Sequence, residues 1–203
     1  SELVTPSFQF ALGLCLYQRL REVELEELLF DVVDLINKDP DRKGPELAAL
    51  NLRAAKKARS ISAFHSAAKY AAYGINCLPS DPWDIHLRLI LQLYALGAEM
   101  SLDIGHVDTV AEYIDTVLRN VPEVSIDTMP IHMTKMKMLA SSQLRYREAV
   151  DLGVRILKDL GVGLTWNRRL ITIQALILCH RTIRKIQSLN IDHFDDMKRM
   201  KDA

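Results

Sequence analysis

The chain is poor in the residues that most often carry chemistry. Its three cysteines, Cys15, Cys77 and Cys179, are odd in number, widely spaced and set in apolar stretches. That excludes a disulfide framework and a CxxC metal or redox pair, and reads as reduced, buried small hydrophobes. Aromatic residues make up only 6% of the chain, and its eight glycines and seven prolines fall mostly between periodic segments. Lys plus Arg equals Asp plus Glu at 26 each, so no overall field steers the molecule toward nucleic acid or membrane. The most apolar window, Leu170 to Cys179, is flanked by Arg168, Arg169, His180 and Arg181 and falls well short of the ~20 residues of a membrane span. The opening SELVTPSFQFALG lacks the basic, apolar and small-residue regions of a signal peptide. The expectation is a soluble, cytoplasmic protein, one that starts without Met and reads as a piece of a longer chain.

Catalytic and cofactor signatures are missing too. No phosphate-binding GxxxxGK[ST] loop, GxGxxG, HExxH or GxSxG occurs. Gly161-Val162-Gly163 is the nearest approach to a phosphate cradle, and it reads instead as a helix end, with Thr165 capping the next helix. The chain is therefore expected to use no cofactor and to neither bind nor hydrolyse ATP. Asp103 with His106, and His193 among Asp192, Asp195 and Asp196, could offer oxygen and nitrogen donors to a divalent cation, but they read as solvated turn and helix-end residues, so no metal site is assigned. His65, His86 and His180 fall inside helical segments. Ser62 and His65 are i, i+3 neighbours, an arrangement common in any helix, and no catalytic residue is assigned.

What the sequence does contain is helix. Val107, Val110, Ala111, Ile114, Val117, Leu118 and Val121 follow one face of an amphipathic helix. Ile61, Phe64, Ala68, Ala71, Ala72, Ile75 and Leu78 repeat the pattern, with Ser60 as its N-cap and Pro79 as its stop. Ala68 and Ala72 mark its expected close contact with a neighbour. Asp81-Pro82-Trp83-Asp84 signals a helix start, with Pro82 in the first helical position. The helix to Asp103 is apolar nearly all round, so it should be covered on several sides, and Gly105 should end it. Further helices are predicted from Ser7 to Arg21, Leu25 to Asn37, Pro45 to Arg59, Pro130 to Leu144, Tyr146 to Leu160 and Thr165 to about Asn190. No stretch alternates as a half-buried strand does.

Gly105-His106-Val107-Asp108-Thr109-Val110 and Leu144-Arg145-Tyr146-Arg147-Glu148-Ala149 look like one turn used twice, 39 residues apart. Tyr94, Ala98, Val107, Val110, Ile114 and Pro122 suit the positions of a tetratricopeptide unit, as do Met133, Tyr146, Ala149 and Ile156. Lys137 stands where a small residue is wanted, Leu144 replaces a glycine, and the spacing exceeds the usual 34 or so residues. The fold class predicted is all-α, with antiparallel helical hairpins stacked as a tetratricopeptide-like right-handed solenoid over 1–203. An irregular helical bundle is the alternative.

Charge is uneven along this neutral chain. Glu22, Glu24, Glu26, Glu27, Asp31 and Asp34 form an acidic stretch with no base, Arg53, Lys56, Lys57 and Arg59 make the end of the next helix basic, and eight Lys or Arg face four Asp from Thr165 onward. Solvated faces are the default reading. The methionines Met129, Met133, Met136 and Met138 either fill an irregular core or line a groove for a partner helix, with core filling favoured.

The run Leu28 to Asn37, then Leu50 to Ala58, Ser62-Ala63-Phe64, Ala67-Ala68, Tyr70, Gly74, Leu78-Pro79 and Trp83, resembles the helical segment that follows the ATPase module in very large signalling proteins. These are the predicted AAA-type or signal-transducing ATPases fused to serine/threonine and histidine kinase domains. The likeness continues through Leu93-Tyr94, Ala98-Glu99, Gly105, Arg145 to Val150, Leu157 and Leu160-Gly161-Val162, covering roughly residues 8 to 164. It implies a tetratricopeptide-like scaffold between a nucleotide-binding module and sensor or kinase modules, with the ATP-binding residues outside this chain. The stretch 165–203 matches least.

The function expected is a noncatalytic helical-repeat scaffold that contacts protein surfaces or flanking domains of the parent chain. Its partner-binding concave face would carry Gln92, Glu99, Asp103, Thr134, Met138 and Ser142. The other readings are an enzyme with a motif-free pocket and a helical nucleic-acid binder using the basic C-terminal segment, although that segment has only two aromatics, Trp166 and Phe194. The helix containing Ile173 and Ile177 has more apolar surface than one neighbour covers and could form a homodimer.

Overall fold

A computed structural model describes residues 5–39, 41–79, 83, 85–162 and 180. The chain divides into two compact units, Ser1–Leu160 and Gly161–Ala203. Of the second, only Gly161, Val162 and His180 are described, so the expectations for Thr165 to Asn190, for the Ile173 and Ile177 helix, and for the cluster around His193 lie outside the described residues.

The first unit holds nine described α-helices and, among the described residues, no strand. In order they are α1 (Pro6–Arg19), α2 (Glu22–Glu27), α3 (Leu29–Ile36), α4 (Pro45–Ser60), α5 (Phe64–Asn76), α6 (Leu87–Asp103), α7 (Val107–Asn120), α8 (Met129–Ser141) and α9 (Tyr146–Asp159). Local chemistry sets several of the boundaries. Thr5 Oγ1 accepts from the Phe8 N–H at 3.2 Å and Pro6 opens α1; Pro45 opens α4 and Pro130 lies in the first turn of α8. The α6 start expected at Pro82 is instead at Leu87, with His86 as its N-cap; Asp81, Pro82 and Asp84 lie outside the described residues.

Two expected helices are corrected. The single helix from Leu25 to Asn37 is two helices meeting at Leu28. Lys57 Nζ on α4 donates to the Glu26 carbonyl, which the Phe30 N–H would engage in an unbroken helix, and Arg53 pairs with Glu22 and Glu26. These contacts from α4 hold α2 apart from α3. The helix from Ile61 starts later, at Phe64, because Ser60 belongs to α4 and Ser62 takes a left-handed φ of 60°. Its buried face is correspondingly shifted, to Ala67, Tyr70, Ala71 and Gly74. Ala68 and Ala72 are only half-buried, and Ile61 and Phe64 are exposed.

Consecutive helices pack as α4 on α5, α5 on α6, α6 on α7 and α8 on α9, while α1 packs on α3. In addition α4 touches α6 and α6 touches α8. The all-round apolar surface of α6 is thereby used twice. Ile90, Leu93, Leu96 and Met100 join the core shared with α3, α4 and α5, and Leu91, Ala95 and Ala98 join a second core with Val110, Ile114, Val117, Ile131 and Met138. Fully burying a side chain such as Ile90 or Leu93 contributes roughly 1.5–3 kcal/mol. Close approach at α5 depends on Gly74, where a Cβ would lie 2.5 Å from Leu93 Cδ2 and 3.3 Å from the Ala48 carbonyl oxygen.

The same turn occurs three times. Ser62, Gly105 and Leu144 have φ of 60°, 83° and 53°, and Ala63, His106 and Arg145 follow as N-caps with φ/ψ of −83°/65°, −83°/66° and −93°/56°. The Ala63 N–H donates to the Ala58 carbonyl and the His106 N–H to that of Ser101, closing the helix end in the Schellman manner. At the third turn the Arg145 N–H reaches one residue further back, to Leu139. After each turn the fourth helical residue, Ala67, Val110 or Ala149, is buried. Gly161 also has a left-handed φ, 77°, one residue past the cap of α9, as expected for a helix end.

Candidate interaction cleft

Counting back two residues from the carbonyls that close these turns, Ala58, Ser101 and Leu139, gives Lys56, Glu99 and Lys137. All three line one cleft of about 280 Å³ between α4, α6 and α8. The extra residue in the third turn explains the misfit of Lys137. In the structural register the counterpart of Ala98 is Met136, whose Sδ lies 3.1 Å from where a Cβ on Gly153 would be. Lys137 is the counterpart of Glu99, one position further toward solvent.

The cleft has an apolar floor and a charged rim. Leu91, Ala95 and Leu96 of α6 are buried, and Pro130 and Met133 of α8 face them across the opening, Met133 at 50% exposure. Gln92 and Glu99 are seven residues apart on α6, about 10 Å along one face. Lys56 Nζ donates to Gln92 Oε1 at 2.9 Å. Arg59 Nη1 lies 3.0 Å from one Glu99 oxygen, and Lys137 Nζ lies 3.5 Å from the other. One carboxylate thus serves two cations. These groups remain partly in water, with side-chain exposures of 49% for Arg59, 33% for Glu99 and 54% for Lys137. Such pairs contribute only about 0.2–1 kcal/mol each, so an incoming group can exchange with them at little cost.

Of the residues assigned to the binding face from sequence, Gln92, Glu99 and Thr134 meet in this cleft. Thr134 is buried, its hydroxyl donating to the Pro130 carbonyl at 3.0 Å. Asp103, the last residue of α6, and Ser142, the cap of α8, are exposed outside its lining. Met138 lies in the core at 6% exposure, displaced by the same one-residue offset that brings Lys137 outward. Sequence reasoning did not place Lys56, Arg59 and Lys137 in the cleft. The basic end of α4 was visible, but its convergence on α6 depends on tertiary packing. Of the methionines, Met133 lines the cleft and Met138 lies in the core.

His132 is a second polar group of note. It is buried on α8, and among the described residues neither ring nitrogen has a hydrogen-bond partner. Burial pushes its pKa below the usual value, Lys135 pushes the same way, and Asp159 opposes them. Asp103 and His106 are both exposed, and among the described residues no group of His, Cys, Asp or Glu is arranged to hold a metal ion. No described helix is long and apolar enough to cross a membrane. Compared with known proteins, the chain matches no family model, no curated protein and no solved structure.

Proposed function

We propose that this chain is a noncatalytic helical-repeat scaffold that binds a polypeptide segment in the α4–α6–α8 cleft. The observation that carries this reading is the cleft itself, lined by alternate helices and combining a buried apolar floor with an exposed, exchangeable polar rim. The turn repeated at Ser62, Gly105 and Leu144 supports a stack of related helix pairs of tetratricopeptide type, in which each pair covers the next. The resemblance to the helical segment of large signalling ATPases supports a place between a nucleotide-binding module and kinase or sensor modules. There the scaffold would contact flanking domains of its parent, and conformational change would pass through it.

A photo-crosslinking amino acid at Met133, within the cleft, tests this in the full-length protein in its own cells, with Val150 on α9 as an exposed control position. The expected outcome is one defined polypeptide segment crosslinked from Met133 and absent from Val150. Products that are the same from both positions, or none from Met133, would count against a docking role for the cleft.

A further inference from the structure

From the charge on the cleft rim we infer that the segment it takes is acidic, placing a carboxylate between Arg59 and Lys137 and an apolar side chain on Ala95, Leu96 and Met133. This rests on the docking role proposed above and specifies the partner's chemistry. Three cations, Lys56, Arg59 and Lys137, line the cleft against two carboxylates, Glu99 and Asp127. Glu99 is shared by Arg59 and Lys137, and Asp127 forms no ion pair with these cations among the described residues. Among the described residues Lys56 is satisfied only by the neutral amide oxygen of Gln92, a weaker partner for an ammonium group than a carboxylate. The rim therefore has more positive charge than its own acids neutralise.

The same helix shows what this surface attracts. Arg53 and Lys57, on the neighbouring stripe of α4, hold Glu22 and Glu26 of α2, so the basic end of α4 already captures one acidic segment of this chain. Lys56 and Arg59 carry the same charge into the cleft, which among the described residues is open between α4 and α8. A basic segment would meet three like charges at the rim against two acids, Asp127 at the edge and Glu99, which it could engage only by breaking it away from both of its partners.

The test uses the 203-residue chain and three fluorescein-labelled synthetic peptides, one alternating leucine and aspartate, one with lysine and one with asparagine in place of aspartate, read by fluorescence anisotropy. The aspartate peptide is expected to bind saturably, and Arg59→Glu with Lys137→Glu should weaken it by about tenfold or more while favouring the lysine peptide. Both positions are solvent-exposed, and an unchanged thermal melt of the variant shows that it folds. If all three peptides bind equally and Met133→Glu weakens them all, the acidic preference is wrong while the docking role stands. If no peptide binds, or the charge reversal leaves aspartate-peptide binding unchanged, the inference is overturned, and the crosslinking from Met133 decides the docking role separately.

Discussion

Asn37, at the cap of α3, and Asn51, inside α4, face each other as a reciprocal amide pair. Asn37 Nδ2 donates to Asn51 Oδ1 at 2.8 Å and Asn51 Nδ2 returns a bond to Asn37 Oδ1 at 3.0 Å. Asn51 is fully buried, and its amide also donates to the Leu47 carbonyl at 3.0 Å. The pair satisfies polar atoms that would otherwise be stranded in the core, and it sets the register of α3 on α4. Asn51→Ala should cost about 1–3 kcal/mol, because it leaves Asn37 without its partner in a partly buried place. A double-mutant cycle with Asn37→Ala, measured by chemical denaturation, should show coupling of about 0.5–3 kcal/mol. Simple additivity of the two substitutions would show that the bonds do not act as a pair.

Leu144 adopts a left-handed backbone that costs a side-chain-bearing residue roughly 1–2 kcal/mol. It is 68% exposed, so little burial is lost on truncation. Leu144→Gly is therefore expected to leave stability unchanged or raise it by up to about 1 kcal/mol, whereas Gly105→Val should lower it. Thermal melts of both variants check the prediction. A clear loss in Leu144→Gly would mean that the turn is not strained at this residue.

Gly74 is the closest point between α5 and its neighbours. A methyl group there meets Leu93, Asn51 and the Ala48 carbonyl, so Gly74→Ala should destabilise by about 1–3 kcal/mol through overpacking. Ala72, which is only half-buried, should accept serine with a smaller loss. Equal effects at the two positions in urea denaturation would place the face of α5 wrongly.

His132 gives the protein an acid-sensitive point. Its folded pKa is below the unfolded value of about 6.5, so at higher pH the ring is neutral in both states and adds no pH dependence. As pH falls below about 6.5 the unfolded chain takes up a proton that the folded chain resists, and stability declines toward the folded pKa. His132→Leu removes that contribution. Melting temperatures at pH 7.0 and 5.5 should then differ less in the variant than in the parent; an identical difference would show that the folded His132 protonates freely.

Much of the helix pattern could be read from local sequence. The boundaries at Pro45, Val107 and Tyr146 follow from proline placement, turn chemistry and 3.6-residue periodicity, all properties of neighbours along the chain. The helix end at Gly105 was visible because only glycine takes its φ without strain. The matching turns at Ser62 and Leu144 use residues that carry no such mark, so one escaped notice and the other looked like an imperfection.

The face of α5, the break at Leu28 and the rim of the cleft were decided by tertiary structure. Near-equal alanines on two sides of α5 leave its buried side undetermined until Leu93 and Asn51 close on Gly74. The break at Leu28 depends on Lys57 and Arg53, more than twenty residues away along the chain. Lys56, Glu99 and Lys137 are ordinary solvated charges along the sequence. They become one site only because burying the apolar surfaces of α4, α6 and α8 against each other forces their polar edges together, and the energy of that burial is a property of the packed helices as a whole.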